Sequence, residues 1–217
     1  MAFRGSEKSL MRLVTLRRFP TMSLRAASGF SLLELLIVLA IALVVSGFAI
    51  VNGMSAVRGI RLSEATTDYS NLLQQARISA VKNDAFYIVE ISPSGDKAFV
   101  NVNGPTYAPG DPMMTFPTDV VPMSYASGPN VPNLESQFLP STSSYGTVKS
   151  STAEPTFGPR GLPCTQSGGG CPSLATPTSY ITFFQNTQSG KWAAVTVSPA
   201  GRIRRWSYEG SSWSPMN

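Results

Sequence analysis

Leu35 to Val57 is a run of 23 residues without a charge, and it limits what this chain can become more than any other feature. As a helix rising 1.5 Å per residue it would span about 34 Å, close to the hydrocarbon thickness of a bilayer. Ser46, Gly47, Asn52, Gly53 and Ser55 weaken its second half without adding charge. A carboxylate, Glu34, stands immediately before the run. A charged side chain placed in hydrocarbon costs at least about 2.5–3.5 kcal/mol, so a residue in this position is expected to have a partner or a task.

Charge is distributed to match. The formal net charge is +5, yet Arg4, Lys8, Arg12, Arg17, Arg18 and Arg25 oppose only Glu7 before Phe30. The remaining basic and acidic residues balance, so the basicity belongs to the leader and says nothing general about nucleic acid. A cationic segment ahead of an apolar one predicts a cytoplasmic N-terminus with the rest translocated. Charged residues make up only 13% of the chain, against 18 Gly and 17 Pro. That balance suits a turn-rich β head outside the cytoplasm better than a helical cytosolic enzyme.

A secretory signal would close its apolar core with an A-x-A-like site, and Ile50-Val51-Asn52-Gly53-Met54 offers none. A plain anchor would leave Glu34 unexplained. Gly29-Phe30-Ser31-Leu32-Leu33-Glu34, followed by the apolar run, instead resembles the N-terminal signature of type IV pilins and type II secretion pseudopilins. The resemblance implies cleavage after Gly29 by a prepilin peptidase and N-methylation of Phe30. It also implies that Glu34, fifth in the mature chain, pairs with the terminal amine of a neighbouring subunit. In an apolar bundle of helices a carboxylate–ammonium contact is far more favourable than either charge alone. The leader, residues 1–29, is long for this family, and Met22 would give a start of ordinary length.

Beyond the run, Leu62, Ala65, Tyr69, Leu72, Leu73, Ala76 and Ala80 recur at steps of three and four. They predict one helix from about Phe30 to about Lys82, with residues 30–57 as its transmembrane, filament-core half and residues 58–82 amphipathic and packed on the head. Gly47, Gly53 and Gly59 are its weak points. Residues 83–217 read as a β-rich head. Ala85–Ile91 and Lys97–Val102 form a hairpin around the turn chemistry of Ser92–Asp96, and Tyr180–Gln185, Trp192–Val197 and Arg202–Tyr208 are three further strands. Residues 103–156 read as a long irregular excursion in which only Val120-Val121 and Thr147-Val148 hint at strands. Thr156–Gly161 and Val195–Arg204 resemble the ending of the H-type pseudopilin branch and its FimT/FimU-like minor pilin relatives.

Cys164 and Cys171 frame Thr165–Gly170. Outside the cytoplasm such a pair reads as a disulfide, whose short loop would stabilise by roughly 2–3 kcal/mol. A zinc site would need more ligands, and the chain has no His. The glycines lack the strand–loop–helix setting of a phosphate cradle.

Lys191, Arg202, Arg204 and Arg205 have no acidic residue among them, and Trp192, Trp206, Tyr208 and Trp213 lie close in sequence. Arginines for phosphates and aromatics for base stacking are the elements of a DNA-binding surface, and Gly201-Arg202-Ile203-Arg204 resembles the DNA-contacting motif of FimT-like minor pilins. The plainer reading is a solvated strand face with Trp206 in the core. No triad or clustered carboxylate pair points to catalysis, and no cofactor or metal is expected.

The expected fold is therefore α+β and type IV pilin-like, a long N-terminal helix packed on an antiparallel β-rich head. The expected function is a minor pilin or pseudopilin, with a prepilin peptidase, other pilins and the bacterial inner membrane as partners. DNA is the alternative partner. The head would be periplasmic, later within a pseudopilus or pilus.

Overall fold

A computed structural model describes residues 30–101, 107–139, 146–148, 154–165 and 178–216. The chain divides into two compact units, Met1–Val45 and Ser46–Asn217. The described part of the first unit is the opening of helix α1 (Leu32–Lys82), which runs without a break through Gly47, Gly53 and Gly59. It starts two residues later than the periodicity predicts, with the carbonyl of Ser31 accepting the amide of Leu35 at 3.1 Å. Phe30 and the apolar residues from Leu32 to Phe48 are exposed on every side.

The second unit holds the rest of α1 and all the strands. Lys82 ends the helix because Asp84 takes a left-handed conformation (φ 48°) and the amide of Ala85 bonds back to the carbonyl of Ala80. This is a Schellman-type stop that ordinarily uses glycine. A hairpin follows, β1 (Tyr87–Ile91) and β2 (Lys97–Asn101), with Gly95 at positive φ in its turn. The chain continues through β3 (Met113–Thr115), β4 (Val120–Met123), a 3-10 turn at Tyr125–Ser127, helix α2 (Val131–Phe138) and β5 (Gly146–Val148). Residues 103–156 are thus only partly the irregular excursion expected: three strands and a helix lie within them, with β4 and β5 where Val120-Val121 and Thr147-Val148 hint at strands. Short β6 (Thr156–Phe157) and β7 (Pro163–Cys164) precede the closing run of β8 (Thr178–Asn186), β9 (Trp192–Val197), β10 (Ile203–Tyr208) and β11 (Trp213–Pro215).

The strands form two sheets. One has the order β3-β2-β1-β6-β7 and is antiparallel throughout. The other has the order β11-β10-β9-β8-β4, also antiparallel, with β5 added in parallel to β8. Every residue of the predicted helical stripe, from Leu62 to Ala80, is buried. Its partners include Val89, Val100, Phe157, Tyr180, Phe184, Val195 and Val197, so the stripe lies across both sheets. Each large side chain fully buried there stabilises by about 1.5–3 kcal/mol.

Alternation along β8 to β10 sorts the remaining residues. Tyr180, Phe184, Ala193, Val195 and Val197 face α1, whereas Ile181, Phe183, Ala194 and Trp206 face the other way. On that outer face Leu134 of α2 and Trp213 of β11 close a second core. The indole of Trp206 donates there to Thr196 Oγ1 at 2.9 Å, and that of Trp213 to the Pro129 carbonyl at 2.8 Å. The second unit is therefore layered as α1, sheet and α2.

Candidate assembly site and head anchors

Glu34 occupies the first turn of α1 and is exposed. It has no hydrogen-bond or ion-pair partner among the described residues. Its place near the free amides of the helix start is electrostatically favourable, since the helix dipole favours a negative charge there. Ser31 directly precedes the helix and Glu34 follows three residues later, the spacing of a capping box. Gly29 and Met22 lie outside the described residues.

The two C-terminal stretches singled out in the sequence meet at one side chain. Gly158–Gly161 is a tight turn closed by the Gly161 amide on the Gly158 carbonyl at 2.8 Å, and Ser198–Gly201 is closed in the same way at 2.8 Å. Gly161 (φ 70°) and Gly201 (φ 75°) both sit in the left-handed region. Arg77 of α1 donates from Nε to the Gly161 carbonyl and from Nη1 to the Gly201 carbonyl, each at 2.9 Å. A Cβ on Gly201 would stand 2.9 Å from the Gly161 carbonyl oxygen and 3.2 Å from Arg77 Cζ, so the approach needs glycine. The arginine fork thus holds both turns against the helix.

A second anchor lies nearer the helix start. The Asp119 side chain is 1% exposed, accepts Asn186 Nδ2 at 2.7 Å, and lies 3.5 Å from the guanidinium of Arg61 on α1. The amide of Thr187 donates to the Asp119 carbonyl at 2.8 Å, which fixes the β8–β9 turn beside the helix.

The four basic residues proposed for DNA do not form one surface. Lys191 is in the β8–β9 turn near Gly59, while Arg202 is at the far end of the β9–β10 hairpin, about 20 Å away at roughly 3.3 Å per residue. Arg205 turns toward α1 and donates to Thr67 Oγ1. Arg202 and Arg204 share the outer face, as alternation requires, and Arg204 stacks over Trp206 at 6.0 Å from the ring centroid. Trp206 and Trp213 are buried and offer no stacking platform. Cys164 lies in β7, and Cys171 lies outside the described residues.

Comparison with known proteins places the prokaryotic N-terminal methylation motif on residues 24–50, a span that contains Gly29, Phe30 and Glu34. No curated protein matches the chain. Among solved structures, the type IV minor pilin FimU of Pseudomonas aeruginosa strain PAO1 shows 15% identity and a TM-score of 0.42, with 65% of this chain and 85% of that one covered. By length and composition, α1 is the one helix among the described residues able to cross a membrane. The methylation motif thus runs into the start of that helix, and the helix continues into a unit whose strands are almost all antiparallel.

Proposed function

We infer that the chain is a minor pilin or pseudopilin. It is made as a prepilin, cut after Gly29, methylated on Phe30 and held in the inner membrane with its N-terminus cytoplasmic and its head periplasmic. From there it joins a type II secretion pseudopilus or a type IV pilus through its α1 helix. The observation that carries this reading is that the methylation motif opens α1 on an apolar part, residues 32–57, that is exposed on every side where described and has Glu34 as its single charge. Such a surface requires lipid before assembly and other helices after it.

Cleavage leaves an ammonium on Phe30. Within a bundle of apolar helices, the Glu34 carboxylate of an adjacent subunit can accept hydrogen bonds from it and fix the axial register. In the same reading Cys164 and Cys171 close a disulfide in the periplasmic head. The experiment is intact-mass measurement of the membrane-extracted protein, wild type and Gly29→Ala. The wild type should begin at Phe30 with one added methyl, and the variant should keep its leader. A variant processed to the wild-type mass would overturn the reading.

A further inference from the structure

We propose, resting on the membrane reading of α1, that Arg58 and Lys191 form a cationic cradle for the phosphate of an anionic lipid headgroup, where the apolar part of α1 gives way to the head. Three basic groups from two distant parts of the chain gather there. Arg58 and Arg61 are the first charges after the uncharged run, which ends at Val57. Lys191, in the β8–β9 turn, comes back to the same turn of helix: a Cβ on Gly59 would stand 3.8 Å from its Nζ. Arg58 reaches toward the β8–β9 turn in its own right, donating from Nε to Gln188 Oε1 at 3.1 Å. Asn186 Nδ2 in turn donates to the Arg58 carbonyl at 3.5 Å.

The three charges are not equivalent. Arg61 is compensated, since it faces the Asp119 carboxylate at 3.5 Å. Gln188, the partner of Arg58, is neutral, and neither Arg58 nor Lys191 has an acidic partner among the described residues. The next acid along the helix, Glu64, lies six residues from Arg58, about 9 Å further along the axis and about 120° round it. Arg58 is half-buried, so water screens its repulsion from Lys191 less than it would in the open. Basic residues are disfavoured on the translocated side of a span, and an uncompensated pair there needs an anion. Val57 and Ile60 are exposed beside the pair, so apolar and cationic surface adjoin. A lipid meets both, with acyl chains on the apolar part and a phosphate accepting charge-assisted hydrogen bonds from the guanidinium and the ammonium together. A free phosphate or a nucleic acid would leave the apolar part uncovered.

The test places the full chain in nanodiscs of phosphatidylcholine, alone or with about one-third phosphatidylglycerol, and follows lysine acetylation by mass spectrometry. Phosphatidylglycerol should slow the labelling of Lys191 about fivefold or more, and millimolar inorganic phosphate added to phosphatidylcholine discs should not. Lys82 is exposed at the other end of the amphipathic half of α1, about 36 Å along the helix from Arg58, and should label equally in both discs. Arg58→Gln should remove most of the protection at Lys191, and Arg58→Lys, which keeps the charge, should retain it. Equal labelling of Lys191 in the two discs, an equal fall at Lys82, protection that survives Arg58→Gln, its loss in Arg58→Lys, or the same protection from inorganic phosphate would each overturn the proposal while the membrane reading stands. A chain that enters neither disc would instead sink the membrane reading, and the proposal with it.

Discussion

Arg77 shows how a single side chain can account for two stretches that look unrelated in the sequence. Gly161 and Gly201 stand out as turn residues, but what holds the two turns together lies on the helix, at Arg77. The partners are 84 and 124 residues away, and no local pattern encodes that pairing. Charge-assisted hydrogen bonds to carbonyls are worth about 1.5–3 kcal/mol each, and removing the donor leaves two half-buried acceptors unsatisfied. Arg77→Met should therefore lower stability by about 2–4 kcal/mol in urea unfolding. Arg77→Lys should recover only part of this, because an ammonium cannot reproduce the two-pronged fork. A loss below about 0.5 kcal/mol for the Met variant, the size of an ordinary surface change, would show that the turns hold without the clamp. Glu34 is the opposite case. Its oddity is visible at once, because a charge beside an uncharged run needs no long-range information to be noticed.

Among the elements, α1 and strands β8 to β10 are legible because each carries its own periodicity: steps of three and four in the helix, alternation in the strands. Helix α2 is not. It has only eight residues, includes Pro132 in its first turn, and lies in a stretch rich in Pro, Ser and Asn. What makes it a helix is Leu134 entering a pocket with Trp206 and Trp213, contacts made by residues some seventy positions later. The two-residue strands β6 and β7 are too short to show any period. The contact between α1 and the sheet can be probed through Tyr69, which is fully buried with its hydroxyl 3.3 Å from Thr182 Oγ1. Burial pushes its phenol above the ordinary value of 10.0, so the folded state favours the neutral form. That contribution is complete below about pH 10 and is lost as pH rises, since the unfolded chain releases the proton first. Stability should fall above pH 10, with Tyr69 supplying a slope of at most about 1.4 kcal/mol per pH unit. Tyr180 is raised in the same sense and keeps its own share. Tyr69→Phe should flatten the alkaline limb of unfolding midpoint against pH without removing it. An unchanged limb would place the sensitivity elsewhere.

At the level of the whole molecule, the chain keeps its soluble core and its apolar surface in different stretches of sequence. Buried residues begin at Leu62, and every described apolar residue from Phe30 to Val57 is exposed. The compact unit that starts at Ser46 contains all the strands together with both arginine anchors, Arg61 and Arg77. A chain trimmed to begin at Met54 would lose no buried side chain and no hydrogen bond of the head among the described residues. It would also lose an apolar surface that water cannot solvate without cost. Such a fragment should therefore remain soluble without detergent and unfold in one cooperative transition. Its midpoint should lie within a few degrees of that of the full chain in detergent, because its core is the same. The helix start is the one place where fraying is expected, since a new terminus leaves four amides unpaired before Arg58. A broad, non-cooperative transition would mean that residues before Met54 hold the head together, and the separation of core from membrane surface would be wrong.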